Sequence, residues 1–242
     1  MTLEQVFPGL NNAPASAILA VGNNLFDIRG PADEAQSALL DNLSREIIAQ
    51  IKTVDPKWHY DSLGPPNSVA GRINQLNDLR FERAAVIARV KGDYRPLQVE
   101  TVRFIQQKAD VGFEKGEAAL KAGLIRPRLS DREAIGNYVD RYVRIELRKR
   151  YNSLGIDSAG KGPVRVNRRE DDSSGTDLTY RRPDARIGDV AFDVTLSLKT
   201  SATKQVQGFF ASDFKPVSVV IIRPRQVSPD SAYVISRPEI KR

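Results

Sequence analysis

Residues 180–200 limit the fold more than any other part of the chain, because they have the pattern of a β-hairpin with a defined register. Residues 188–189, Gly-Asp, suit a two-residue turn between alternating strand-like residues. The pairs expected next to this turn are Ile187–Val190, Arg186–Ala191 and Ala185–Phe192. The following pair is Asp184 with Asp193, so we expect two carboxylates directly opposite each other.

The second strand of this hairpin is expected to have a polar face and an apolar face, because strand side chains alternate. The polar face carries Asp193, Thr195, Ser197 and Lys199. The apolar face carries Val190, Phe192, Val194, Leu196 and Leu198. Facing carboxylates repel and cost about 0.2–1 kcal/mol, and a divalent cation between them would turn that cost into a binding site. We therefore expect this strand to contribute catalytic residues as well as to form part of the sheet.

Composition excludes several kinds of site in this 242-residue chain. There is no cysteine and a single histidine, His59, which rules out thiolate nucleophiles, zinc–sulfur sites and multi-histidine metal sites within the chain. No apolar run approaches the roughly 20 residues of a membrane span, and no signal-peptide pattern is visible. The length is sufficient for one large domain or two modest ones.

The basic excess lies entirely in the C-terminal half. Residues 126–242 contain 23 Lys and Arg against 15 Asp and Glu, a net charge of +8, whereas residues 1–125 have a net charge of −1. A locally basic domain suggests a polyanionic partner, most simply nucleic acid. The alternative is a basic surface that serves only solubility.

The N-terminal half has helical periodicity, and the C-terminal half alternates helices with short strands. A stripe at intervals of four marks the first helix, at Ala35, Leu39, Leu43, Ile47 and Ile51. Further helices are predicted over 69–90, 96–120, 130–154 and 200–214, and further strands over 164–166, 217–222 and 233–235. We predict a mixed α+β fold, with an N-terminal helical bundle over residues 1–125 and a domain with a mixed central sheet over residues 126–242. Residues 1–30 are expected to be irregular.

The C-terminal domain resembles the PD-(D/E)xK nuclease superfamily, whose α/β core has the order α-β-β-β-α. Pro183 and Asp184 match the PD element, and residues 197–199, Ser-Leu-Lys, match (D/E)xK with serine in place of the acid. Asp193 could supply the missing carboxylate. The resemblance implies an endonuclease that hydrolyses phosphodiester bonds with Mg²⁺ or Mn²⁺.

A further acid is expected on the helix that follows Ser130. Holliday-junction resolvases of this superfamily carry a glycine and, four residues later, a glutamate early in the first helix. Gly136 and Asp140 have that spacing, with aspartate in place of glutamate. Glu133 and Glu146 are alternatives, although Glu133 also fits a capping box with Ser130, and Glu146 would suit a solvated or ion-paired helix position.

A second resemblance, over most of the chain, is to the C-terminal toxin regions of large bacterial exoproteins, the filamentous-haemagglutinin-like toxins of contact-dependent growth inhibition. The segments that carry it are 7–14, 97–104, 182–189, 192–193, 195–196, 199–200, 208–210 and 220–224. It implies an N-terminal part that helps uptake into the target cell and a nuclease that acts in the target-cell cytoplasm. It also implies delivery within a larger exoprotein and a cognate immunity protein that blocks the nuclease.

The resemblances imply a role for each candidate residue. Asp184 and Asp193 would hold the metal, with Asp140 or Glu146 as a further acidic ligand. Lys199 would activate the attacking water or stabilise developing charge. The residues expected to bind water, phosphate or substrate are Thr195, Ser197, Arg182, Arg186, Lys204, Gln205 and Gln207.

The substrate stays open, because related toxins cut either tRNA or DNA; the resemblance slightly favours tRNA. One alternative is a DNA endonuclease, either a DNase toxin or an enzyme of the resolvase or restriction type. Another is a non-catalytic nucleic-acid-binding module that uses the basic half. A third is an adaptor whose activity resides in residues 1–125.

Overall fold

The computed structural model describes residues 31–60, 64–173 and 180–238, which form a mixed α+β fold. Their helices are α1 (Pro31–Val54), α2 (Val69–Lys91), α3 (Arg95–Lys121), α4 (Asp131–Ser153) and α5 (Lys204–Ala211). Their strands are β1 (Val164–Val166), β2 (Glu170–Asp171), β3 (Tyr180–Arg181), β4 (Ala185–Ile187), β5 (Val190–Val194), β6 (Ser218–Ile222) and β7 (Ala232–Ser236). None of these helices combines the length with the apolar character that a membrane span requires. The predicted irregular segment 1–30 lies outside the described residues.

The chain packs into two compact units, one that ends at Glu100 and one that begins at Thr101. This division falls inside α3, because residues 101–121 pack with the C-terminal unit. The boundary at residues 125–126 stays a prediction about how function is divided. The C-terminal unit from residue 101 onward contains 27 Lys and Arg against 18 Asp and Glu, a net charge of +9, so the basic excess remains on the side that carries the sheet.

In the N-terminal unit, α1 and α2 share an apolar core. Its buried members are Leu40, Ile47, Ile51, Leu76, Leu79 and Val86. The predicted stripe is confirmed at Ile47 and Ile51 but is wrong at Leu39, which is 45% exposed. A repeat of four residues drifts by about 40° per step against the 3.6-residue helical period, so the buried face passes to Leu40.

Helix α4 begins and ends as the sequence predicts. The Ser130 hydroxyl accepts a hydrogen bond from the backbone N–H of Glu133 at 3.1 Å. The Glu133 carboxylate accepts a hydrogen bond from the backbone N–H of Leu129 at 3.3 Å and one from the side chain of Asn137 at 2.9 Å. It therefore stabilises the first turn of the helix. At the other end, Gly155 has a φ of +66°, a conformation that glycine adopts without strain.

The main sheet is mixed and has the strand order β1-β4-β5-β6-β7. Strands β5 and β6 run parallel, and the other neighbours run antiparallel. Helix α5 covers one face, over a buried cluster of Ala191, Val206, Phe209, Phe210, Val219 and Ile221. Because β5 and β6 are central, all ten of their residues are buried, which explains their nearly continuous apolar sequence.

The hairpin has the predicted register from Ile187–Val190 to Ala185–Phe192, and Gly188 has the positive φ that suits a tight turn. The expected fourth pair, Asp184–Asp193, is not part of the ladder. The N–H of Val194 instead donates to the Asp184 side chain, at 2.7 Å to Oδ2. Strand β5 ends at Val194, so the predicted alternation fails beyond it and Leu198 is 69% exposed.

Arg186, a predicted phosphate contact, is engaged within the fold. Its Nη1 lies 2.9 Å from Oε2 of Glu170, which also binds Arg165 at 2.8 Å. Its guanidinium also lies over the Phe214 ring, 4.6 Å from the centroid. Glu170 is only 3% exposed; its burial raises its pKa, and the two arginines oppose this rise.

We expect Arg186→Gln to lower the free energy of unfolding by about 1.5–3 kcal/mol, the contribution typical of a hydrogen bond to a charged group. Urea unfolding measures this change. Arg182→Gln, at an exposed neighbour, should stay within about 0.5 kcal/mol of the unmodified chain. Equal stability of the two variants would contradict the structural role of Arg186.

Candidate active site

A closed triangle of polar side chains lies at the carboxyl end of β5. The carboxylate of Asp193, a residue only 2% exposed, accepts from Lys199 Nζ at 2.5 Å and from Gln205 Nε2 at 2.9 Å. The third side is the hydrogen bond from Lys199 Nζ to Gln205 Oε1, at 2.6 Å. Helix α5 supplies Gln205 near its first turn, and the segment after β5 supplies Lys199. Both oxygens of the Asp193 carboxylate are therefore engaged.

Asp184 and Asp140 form a second acidic group beside this triangle. Burial raises the pKa of Asp184 well above its usual value, and the carboxylates of Asp140 and Asp193 raise it further. Asp140, on α4, binds Arg144 one turn further along, with Nη2 of the arginine 2.5 Å from Oδ2. Helix α4, the residue before β4 and the end of β5 thus place three of the candidate acids near one another.

Asp193 is affected by the same neighbours. Burial raises its pKa, the ammonium of Lys199 opposes that rise, and the charge of Asp140 adds to it. Two buried carboxyl groups that lie near a third carboxylate are costly to hold ionised without a cation. Such strongly perturbed groups are concentrated at functional sites.

The acids fit a magnesium-type ion with two carboxylate ligands. Within the described ranges, no three His, Cys, Asp or Glu residues are grouped as ready metal ligands. The Asp193 carboxylate is directed to Lys199 and Gln205. Oδ1 of Asp140 is buried and accepts no hydrogen bond from an N–H group of the described residues, and a hydrogen bond between the Asp140 and Asp184 carboxyl groups helps to raise the pKa of Asp184. Mg²⁺ is usually held by one or two carboxylates, with water and substrate phosphate as the other ligands. Asp140 and Asp184 therefore fit the ion better than the predicted pair Asp184–Asp193.

Lys199 lies beyond the end of β5 and is held there through its backbone. The Tyr233 hydroxyl accepts from the N–H of Lys199 at 2.8 Å and donates to its carbonyl at 2.9 Å. Tyr233 lies on β7 and packs against the core under α5. The predicted strand continuation is thus replaced by a bend that a tyrosine fixes from two strands away.

We expect Tyr233→Phe to remove the hydrogen-exchange protection of the Lys199 amide, because both hydrogen bonds that fix this residue are lost. Amide exchange measured by NMR detects the change, and core amides of β6 should keep their protection. Tyr60→Phe is the matched control: it removes a hydroxyl that binds Gln75 and should leave the Lys199 amide unchanged. Undiminished protection in Tyr233→Phe would show that the bend holds without the tyrosine.

Other sequence-predicted candidates lie outside the triangle and the acid pair. Glu146 binds Lys149 at 2.9 Å, the surface ion pair named as its alternative. The Thr195 hydroxyl accepts from the N–H of Ser197 at 3.1 Å and so stabilises the bend. The side chains that are exposed are Ser197, Arg182, Lys204 and Gln207. Gly136 does not require glycine for packing, because a Cβ there would lie 3.6 Å from Leu196, an ordinary contact.

Sequence reasoning missed two residues of this site. Arg144 had a visible signal, since it lies four residues after Asp140 on one helix. Tyr233 had none, because its contact with Lys199 spans 34 residues and depends on the sheet order.

Comparison of this chain with protein-family models, with curated proteins and with solved structures gives no match.

Proposed function

We propose that this chain is a divalent-metal-dependent nuclease of the PD-(D/E)xK type. The observation that carries the proposal is the meeting of Asp140, Asp184 and Asp193 next to Lys199. The carboxylates come from helix α4, from the residue before β4 and from β5, and Lys199 Nζ lies 2.5 Å from Asp193. The net charge of +9 from residue 101 onward supports a polyanionic substrate.

Asp140 and Asp184 are the residues that would hold Mg²⁺ or Mn²⁺. A divalent ion at this position polarises a phosphoryl oxygen and lowers the pKa of bound water. Asp140 offers a buried oxygen that accepts no hydrogen bond from an N–H group of the described residues. The Val194 N–H holds the Asp184 carboxylate by one oxygen, at 2.7 Å, which fixes its orientation.

Lys199 is the group that would act on the reacting phosphate. An ammonium has three N–H donors, and Asp193 and Gln205 accept from two of them. The third can donate to a phosphoryl oxygen or to the attacking water. Asp193 and Gln205 act as positioning residues, since they fix the lysine side chain at its head while Tyr233 fixes it at its backbone.

The biological setting follows from the toxin resemblance alone. In this proposal the nuclease acts in the cytoplasm of a competing bacterium after delivery within a larger exoprotein, and an immunity protein blocks it. tRNA is the favoured substrate, with DNA as the alternative. Growth arrest on expression of the full chain, absent for Asp184→Ala, would support the toxic role.

The test of the nuclease is a cleavage assay on total tRNA and plasmid DNA side by side, with Mg²⁺, Mn²⁺ or EDTA. We expect cleavage of one polymer with metal and none with EDTA. Lys149→Gln is the matched control for charge, because Lys149 pairs with Glu146 away from the acids, and it should cut at the unmodified rate. Salt-sensitive binding without any cleavage would favour the non-catalytic binding module instead.

A further inference from the structure

A row of arginines leads away from Asp140 along α4. Asp140, Arg144 and Arg148 follow one another at intervals of four residues, which is a rise of about 6 Å per step, and they lie along one side of the helix. Arg144 binds the Asp140 carboxylate at 2.5 Å. Nη2 of Arg148 donates to the carbonyl of Val166, at the end of β1, at 3.0 Å. The two arginines thus extend from Asp140 to the end of β1.

The loop after β1 brings a third arginine to this place. Asn167 follows Val166 and has a φ of +49°, in the left-handed region, so the chain turns sharply there. Its N–H donates to the carbonyl of Asp184 at 2.9 Å. The next residue, Arg168, is exposed, and its backbone is one residue away from the hydrogen bond that joins this loop to Asp184.

The three arginines are held close enough to repel one another. Burial lowers the pKa of Arg148, and the positive charges of Arg168 and Arg144 lower it further. Among the described residues, Arg148 forms no ion pair with a carboxylate, whereas Arg144 is paired with Asp140. Arg168 lies near Asp157: hydrogen bonds from the backbone N–H groups of Ala159 and Gly160 lower the pKa of that carboxyl group, and the charge of Arg168 adds to the effect. Like charges gathered this closely are stabilised by a bound anion, and guanidinium groups match the geometry of phosphate.

We infer that Arg144, Arg148 and Arg168 form a phosphate track that holds the substrate strand next to Asp140 and Asp184. The track recognises the phosphodiester backbone, which tRNA and DNA share, and carries no base specificity. The inference rests on the proposed function for the nature of the polymer. It adds the side from which the strand reaches the acids, along α4 and past the loop after β1.

Binding in EDTA tests the track separately from cleavage. The affinity of the full chain for tRNA and for duplex DNA is measured over a series of NaCl concentrations. We expect Arg148→Gln and Arg168→Gln each to reduce the slope of log affinity against log salt by about 0.7–0.9 for the polymer that binds, the effect of one lost phosphate contact. Lys149→Gln, with the same charge change on the same helix, should keep the unmodified slope. Arg144 is left intact, because its loss would also release Asp140.

The outcomes separate the track from the nuclease. Slopes reduced in both arginine variants but not in Lys149→Gln support the track, and the polymer that shows the effect identifies its ligand. Slopes that fall equally in all three variants, or in none, overturn it, as does a chain that binds neither polymer. Reduced slopes in a chain that never cleaves with metal would leave the track standing and remove the proposed nuclease.

Discussion

Asp184→Asn is expected to lower metal-dependent cleavage by at least about 100-fold. Loss of a residue that merely supports a metal ligand already costs about 10–100-fold in affinity or activity, and Asp184 is proposed as a ligand itself. The amide keeps an oxygen that can accept from Val194 N–H, so the local backbone should be retained. Initial rates at saturating Mg²⁺ measure the loss.

The same substitution is expected to stabilise the protein in EDTA at neutral pH. The raised pKa of Asp184 means that its carboxyl group holds a proton more tightly in the folded state than in the unfolded state. The free energy of unfolding therefore falls as the pH rises from about 4 through the folded-state pKa. Asparagine removes that cost, and the melting temperature should rise by about 2–4 °C for each kcal/mol recovered. A lower melting temperature of Asp184→Asn in EDTA would contradict the conclusion that burial and the neighbouring carboxylates destabilise the ionised form of Asp184.

Lys199→Met is expected to lower the cleavage rate by about 10²–10⁴-fold, the usual contribution of a positioned acid–base group. It also leaves the buried Asp193 carboxylate without its cation, which should cost about 3–5 kcal/mol of stability. The activity and unfolding measurements must therefore be made together.

A double variant separates these two effects. In Lys199→Met with Asp193→Asn, the buried charge is gone and the amide oxygen can still accept from Gln205. Stability should return toward that of the unmodified chain while cleavage stays low. Lys161→Met, at an exposed lysine of the same unit, is the control for loss of charge. Recovery of cleavage in the double variant would show that Lys199 acts only through the fold.

Local sequence patterns predicted the parts of this fold that local forces determine. The helix start at Ser130, the turn at Gly188 and the register of β4 with β5 depend on neighbours in sequence, and each is confirmed. The grouping of Asp140, Asp184 and Asp193 was also predictable. Asp184 and Asp193 came from the expected hairpin register, and Asp140 came from the resemblance to resolvases of the PD-(D/E)xK superfamily.

The parts that sequence reasoning missed depend on long-range packing. The end of β5 at Val194 could not be read from the alternation, because polar and apolar residues continue to alternate up to Lys199. Pairing with β6 stops at Ile222, and without a partner the chain bends. Likewise, the engagement of Asp193 with Gln205 requires α5 to pack over β5, which changes the expected pair of metal ligands.

The most direct measurement is the rate at which the purified full chain cleaves tRNA and plasmid DNA as Mg²⁺ or Mn²⁺ is titrated from zero. The account predicts no cleavage in EDTA, a rate that saturates with metal for one of the polymers, and loss of that rate in Asp184→Asn. Cleavage that is independent of metal, or no cleavage of either polymer with either ion, would contradict it.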